Sequence, residues 1–231
     1  MQFPESLRNV IRGSRGGPPG AGGPARLPAP SRTAPARDGV SMRASRGLEE
    51  FFSHIHGQCG LTLLDLGGAT QQNVSFITGL GHRLYSEDFL RILSETAGPD
   101  GLAEQSNQGR IEYFLHQALD YPDGHFDGVL AWDVLEHLAP ALLMAVVERL
   151  HKIVRPGSYL LAFFHSDDKL ESVPHYAFRI QDVKTLQLSE HGSRRPAQLF
   201  NNRNVEKLFA RSESVKFFLT RDRLREVVVR A

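Results

Sequence analysis

Asp65, Gly67, Gly68, Glu87 and Asp88 form a pattern that can hold a nucleotide. Residues 61–65 (LTLLD) are an apolar run ending on an acid, and Leu66-Gly67-Gly68-Ala69 follows as a turn. Paired glycines let the chain reverse sharply and approach a ligand closely. Glu87 lies 20 residues after Gly67, a spacing that suits a carboxylate accepting both hydroxyls of a ribose, with Asp88 as the alternative. Any α/β turn can use glycine and end on an acid; the glycine pair, the acid and the strand order together favour the nucleotide reading. Ala131, Trp132 and Asp133 close another apolar run. His137, His165 and His175 follow strand ends and are candidate proton acceptors. Asp133 and Glu136 could equally be acids favoured by a helix N-terminus. Asp167-Asp168 has no third ligand nearby in sequence and reads as a turn, so no metal is expected.

Positioning those residues requires strands that alternate with helices. Residues 48–55 place Leu48, Phe51, Phe52 and Ile55 at helical spacing. The run 61–65 is a strand, 71–78 a helix closed by Gly79, 83–85 a short strand and 89–96 a helix. Residues 99–110 are polar and read as a surface loop, and 111–119 fit helix or strand equally. Residues 126–132 (FDGVLAW) are a buried strand and 158–164 (SYLLAFF) an apolar one. Between them a helix over 140–154 carries Leu143, Val146, Val147, Leu150 and Ile153 at the helical period, and Arg155-Pro156-Gly157 stops it. Such alternation implies crossover connections and a parallel sheet buried on both faces. A short helix at 205–209 precedes strands at 215–219 and 224–229, which are too close to pair except as a hairpin. Ligands of such sheets bind beyond the carboxyl ends of the strands.

Over residues 48–231 the sequence resembles the class I S-adenosylmethionine-dependent methyltransferases of the small-molecule type. LLDLGGAT (63–70) stands at the family's first motif. YPDGHFDGVLAWDVLEHL (121–138) is the most specific match, at the fourth-strand region, and LHKIVRPGSYLLAFF (150–164) matches the helix, turn and fifth strand. The resemblance implies a Rossmann-like, doubly wound, mostly parallel seven-stranded sheet with an antiparallel last strand, and S-adenosyl-L-methionine as cofactor. It gives Asp65 the first loop and the methionine amino group. Gly67, Gly68 and Ala69 pass beside the cofactor, Glu87 or Asp88 holds the ribose, and Ala131 and Trp132 lie near the methionine or the substrate. Two family glycines are replaced, by Ala69 and Gln71, and the family's adenine-binding acid aligns near residues 115–117, where no acid stands. Gln71 would bring a long side chain to the cofactor.

The chain divides near residue 46. Residues 1–46 hold eight arginines against two acids, with seven glycines and seven prolines, a charge of +6 within an overall +1. That composition buries too little apolar surface to offset ordering entropy, so 1–46 reads as a disordered tail and 47–231 as the folded domain. The tail fits a solvated leader, a weak electrostatic arm or a transit peptide; it lacks aromatics for base stacking beyond Phe3. No apolar run approaches the roughly 18 residues of a membrane span, and no secretory signal stands at the start, so a cytoplasmic location is expected. One cysteine, Cys59, precedes the first strand, excluding a disulfide framework and a cysteine-nucleophile cytosine methylase.

Three functions follow. The first is methyl transfer to a small molecule. The second is a catalytically inactive methyltransferase fold serving as a binding or regulatory module. The third, a dinucleotide oxidoreductase, is disfavoured by Gln72 where GxGxxG needs glycine. The absence of Asn-Pro-Pro-Tyr after residue 132 argues against methylation of adenine or amide nitrogen, and a nucleic-acid substrate is disfavoured. Residues 175–188 either cover the substrate, with Tyr176 and Phe178 lining it, or form a hairpin on the sheet edge. Arg194, Arg195 and Arg203 read as solvated charges or as contacts for an anionic substrate.

Overall fold

The computed structural model describes residues 39–97, 104–167, 170–220 and 223–231. Its central sheet contains β2 (Thr62–Asp65), β3 (Arg83–Ser86), β4 (Phe126–Trp132), β5 (Val154–His165), β8 (Ser214–Phe218) and β9 (Leu224–Arg230), in the order β3-β2-β4-β5-β9-β8. β3, β2, β4 and β5 are parallel, while β9 runs antiparallel to both β5 and β8. The sheet is therefore Rossmann-like with a reversed last strand, but six strands are described where seven were expected. The difference lies between β3 and β4. Ile111, Phe114 and Ala118 are buried at helical spacing, and the Asn107 side chain caps Arg110 N–H, so Gln108–Ala118 is a helix. It begins inside the stretch read as loop.

Strand parity builds two cores. Leu64, Val129, Ala131, Leu160, Ala162 and Phe164 face one side of the sheet. There they meet α3 (Phe89–Ala97), α4 (Gln108–Ala118), α5 (Pro140–Ile153) and α6 (Asn202–Leu208). The alternate residues Leu63, Leu130, Trp132, Leu161 and Phe163 face the other side, against α1 (Arg46–Ile55), α2 (Gln71–Gly79) and a second sheet. A period of two in a strand enforces this division. Pro156-Gly157 does not separate helix from strand as expected; α5 ends at Ile153 and β5 runs on directly from Val154.

The second sheet has three strands, β1 (Val40–Ala44), β7 (Thr185–Arg194) and β6 (Val173–Asp182), in the order β1-β7-β6, all antiparallel. It corrects the tail boundary, because 40–44 are a strand and Ser45 caps α1 by accepting from Leu48 N–H. The reason is burial. Arg43 Nη2 donates to Glu226 Oε1 at 2.6 Å, and Ser45 Oγ and Gly47 N–H both donate to Oε2. Glu226 is fully buried on β9, so these donors are what let its carboxylate leave water. The remainder of the expected tail, 1–38, lies outside the described residues. Among the described residues no helix is long and apolar enough to cross a membrane.

Candidate active site

Parallel strands deliver Asp65, Ser86 and Trp132 to one edge of the sheet. A cavity of about 290 Å³ opens there, bordered by Asp65, Gly67, Gly68, Thr70, Asn73, Asp88, Trp132, Asp133, His175, Tyr176, Phe178 and Arg194, among others. The β6–β7 hairpin is its roof. Asn73, buried on α2, fastens that roof as another strand would: Nδ2 donates to Phe178 O at 3.0 Å and Oδ1 accepts Ile180 N–H at 2.9 Å. Gln72 Nε2 adds a bond to Ile180 O. Residues 175–188 thus form a hairpin, but in a second sheet and not at the edge of the central one, and that hairpin covers the cavity. Its signal in sequence is the adjacent amides Gln72 and Asn73, the second four residues before buried Ile77, and an amide does not say what it holds.

The floor is set by Asp65. Its Oδ1 accepts Gly67 N–H at 2.8 Å and Trp132 Nε1–H at 2.9 Å. Its Oδ2 is buried and has no partner among the described residues. Burial pushes the carboxyl up to about 6, against the pull of the Trp132 and Gly67 bonds and of the nearby Asn73 amide. The Trp132 ring stacks on Phe178, with centroids 5.2 Å apart and planes 4° from parallel, and lies over Gly67. A Cβ at Gly67 would stand 2.6 Å from Trp132 Cδ1. Glycine is thus required by the indole. Gly68 is required by its backbone, at φ +72.

Not every expected residue reaches the cavity. Asp65, Gly67, Gly68, Asp88 and Trp132 border it; Ala69, Glu87 and Ala131 do not. Ala69 N–H is bonded to Ser86 Oγ, and Ala131 is part of the helix-side core. Glu87 accepts the Tyr121 hydroxyl, whose ionisation is pushed upward by burial and by that bond. Asp88 faces the cavity while its Oδ1 caps α3 through Arg91 N–H at 3.0 Å. Gln71 is exposed and reaches toward Ser75, so it does not crowd the cavity as its position in the motif suggested.

Unpartnered polar atoms gather near Asp133 and His175. Asp133 Oδ2 and His175 Nδ1 are buried without partners among the described residues, as is His137 Nε2 beside them. Burial, with repulsion from Glu136, raises Asp133 to about 7. Burial lowers His175, and lowers His137 to about 4. His165 is held by Glu136 and opens to a different cavity. Arg194, read as a solvated charge, also borders the first cavity. Asp168 lies outside the described residues; Asp167 pairs with Arg223.

A family model described as a methyltransferase domain matches residues 32–212. The chain belongs to that family. No curated protein matches it. Among solved structures it is similar to the 1,6-didemethyltoxoflavin-N1-methyltransferase of Burkholderia thailandensis, with bound 1,6-didemethyltoxoflavin and S-adenosylhomocysteine. That match has 14% identity and a TM-score of 0.47, over 80% of this chain and 76% of that one. A SAM-dependent methyltransferase of Methanosarcina mazei is 14% identical with a TM-score of 0.45, over 78% and 96%. The glycopeptide N-methyltransferase MtfA, complexed with S-adenosyl-L-methionine, is 16% identical with a TM-score of 0.43, over 87% and 99%. Methyltransferase family membership rests on the family match, and the sheet order β3-β2-β4-β5-β9-β8 agrees with it.

Proposed function

We propose that this methyltransferase-family chain moves a methyl group from S-adenosylmethionine to a small molecule, with the donor bound over Gly67 and Gly68. The observation that carries the reading is that Asp65, a residue bordering the cavity, has a buried Oδ2 without a partner among the described residues. Buried polar atoms are almost always hydrogen-bonded, so a ligand that brings a donor there fits. The ammonium of a methionine group is such a donor. Asp88, at the far side of Gly68, is the carboxylate available to ribose hydroxyls. The bound sulfonium supplies an activated methyl, and the chain supplies placement and exclusion of water. Asn73 would do this by holding the roof, and Trp132 and Phe178 by presenting an apolar wall.

Calorimetric titration of the full chain with S-adenosylmethionine and S-adenosylhomocysteine, with NADH as control, tests the reading. The expected result is micromolar binding of both, near about −8 kcal/mol, and none of NADH. Asp88→Ala is expected to weaken it about tenfold, more than Glu87→Ala. Folded protein that binds neither compound overturns the proposal.

A further inference from the structure

Two arginines border the first cavity, Arg91 and Arg194. Arg91 is claimed within α3: its Nη1 donates to both oxygens of Glu95, at 2.8 and 3.0 Å, and its Nε stands 4.0 Å from Asp88. Arg194 has no ion pair among the described residues. A guanidinium is a planar fork of N–H donors whose geometry matches a carboxylate.

A β-bulge places Arg194 at the cavity. Tyr176 pairs with Glu190 but Pro174 with Ser193, so β7 gains one residue on β6. Arg194 then stands opposite Val173, where unbroken register would put Ser193. Gly192 lies in the bulge at φ +100, a conformation that side chains disfavour. One residue of slip turns a strand's side chains to the other face, and bulges next to active sites re-aim a side chain in this way. His175, on β6 within the same bulge, borders the cavity too, and its buried Nδ1 has no partner among the described residues. Burial and the charges of Arg194 and His191 lower its pKa, against Asp88. Near neutral pH the ring is therefore uncharged and can place its one proton on Nδ1. Asp133 and His137 also feel the Arg194 charge. Asp65, given above to the donor's ammonium, is governed instead by Trp132, Gly67 and Asn73. Arg194 and His175 are thus a pair of donors distinct from the Asp65 group.

We propose that Arg194 and His175 hold a carboxylate of the acceptor, so that the small molecule methylated is a carboxylic acid. Calling the ligand an acceptor rests on the methyl-transfer reading above; the carboxylate site itself does not. Both oxygens accept from the guanidinium fork and one accepts from Nδ1–H, which supplies the partner that the buried imidazole nitrogen lacks. Lone pairs committed to those donors are poor nucleophiles, so the carboxylate is a handle and the methyl goes to another atom of the acceptor. With Asp88 and Asp133 on the same border, one negative charge is repelled less than the two of a phosphate.

The test uses the ¹⁵N-labelled full chain, with benzoate and its neutral analogue benzamide as probes. Affinities are read from broadening of the probe's ring-proton resonances, and the place from the Arg194 Nε–H resonance, identified by its loss in Arg194→Gln. Benzoate should move that resonance saturably, with a dissociation constant of about 1 mM, and benzamide should bind at least tenfold more weakly. Arg194→Gln should weaken benzoate at least tenfold. Arg195→Gln, the next residue but off the cavity, should leave it unchanged. His175→Phe, which removes Nδ1, should weaken benzoate and not benzamide. Equal binding of the two probes, equal loss in the two arginine variants, or tighter binding of phenyl phosphate than of benzoate overturns the proposal. The donor carries a carboxylate of its own, and 5′-methylthioadenosine, which lacks it, separates the two sources. S-adenosylhomocysteine should bind Arg194→Gln as it binds the parent and should not displace benzoate. If instead Arg194→Gln weakened S-adenosylhomocysteine and spared 5′-methylthioadenosine, the site would belong to the donor and the proposal would fall. Benzoate is titrated first without cofactor. Protein that binds benzoate but not S-adenosylhomocysteine defeats only the methyl-transfer reading, and the converse defeats only this inference.

Discussion

The indole N–H of Trp132 donates to Asp65 Oδ1 at 2.9 Å, joining residues 67 positions apart in the chain. The bond ties the end of β4 to the end of β2. It also settles which carboxylate oxygen is used internally and which one, Oδ2, is left without a partner among the described residues. Trp132→Phe should keep the stacking on Phe178 but remove this donor from a buried carboxylate. The expected cost is about 1–3 kcal/mol, read from urea unfolding at pH 7.5. Because Trp132 is the only tryptophan, its fluorescence in the parent protein reports ligand entry at the same place.

The rim acids make stability depend on pH in an unusual direction. Asp65 and Asp133 are raised to about 6 and about 7 by burial, so the folded state holds their protons more tightly than the unfolded chain does. Their stabilising contribution is complete below about pH 4 and is lost as pH rises through 6 to 7. His137, lowered to about 4, behaves oppositely and loses its contribution as pH falls from about 6.5 through 4. Asp65→Asn should therefore shrink the stability difference between pH 4.5 and 7.5 by roughly 2 kcal/mol. His137→Gln should raise stability selectively below pH 6. An unchanged pH profile in both variants would remove the assigned cause.

Gly67→Ala should be destabilising by about 1–3 kcal/mol, because its Cβ would stand 2.6 Å from Trp132 Cδ1. The cause is a specific ring, so the cost should largely disappear when Gly67→Ala is made in a Trp132→Leu background. A double-mutant cycle by thermal melts distinguishes this from a backbone requirement, in which the two costs would add. Gly68→Ala is the contrast. Its φ of +72 makes the penalty one that no change at Trp132 relieves.

Much of this was legible in the sequence because it depends on local periodicity. The boundaries of β4 came out as expected, since seven apolar-compatible residues between a turn and an acid allow little else. Asp65, Gly67, Gly68, Asp88 and Trp132 carry the motif, and all border one cavity. What sequence could not separate was Glu87 from Asp88. One residue of phase decides which carboxylate meets Tyr121 and which meets the cavity, and that phase is set by the bridge between Gly67 and Asp88. The second sheet was half hidden: a hairpin over residues 175–188 was one of the expected readings, but β1 joins it across nearly 150 residues. Long-range pairing leaves no periodic trace beyond each short strand.

Asn73→Ala should loosen the roof without melting the core. The amide satisfies Phe178 O and Ile180 N–H, both on β6, and its loss leaves two backbone groups to find water. Hydrogen exchange should speed up across Val173–Arg194 by about an order of magnitude, about 1.4 kcal/mol of local opening, with β5 unaffected. Uniform acceleration across both sheets would mean instead that the roof and the central sheet open together.

The pair formed by Arg43 and Glu226 gives the sharpest check on where the folded domain starts. Read by composition, residues 39–46 belong with an Arg-, Gly- and Pro-rich tail, yet Arg43 provides the guanidinium for a fully buried carboxylate on the last strand. Breaking a buried pair from one side costs about 3–5 kcal/mol, whereas replacing both partners with apolar groups is often neutral. Arg43→Met alone should therefore be strongly destabilising, and adding Glu226→Met should recover most of the loss. A chain beginning at Gly39 keeps every donor to Glu226. One beginning at Gly47 loses the Arg43 and Ser45 side chains, and should melt as far below it as Arg43→Met does below the parent. If the two truncated chains melted at the same temperature, the Arg43 and Ser45 donors would contribute nothing to stability, and the boundary read from composition would stand.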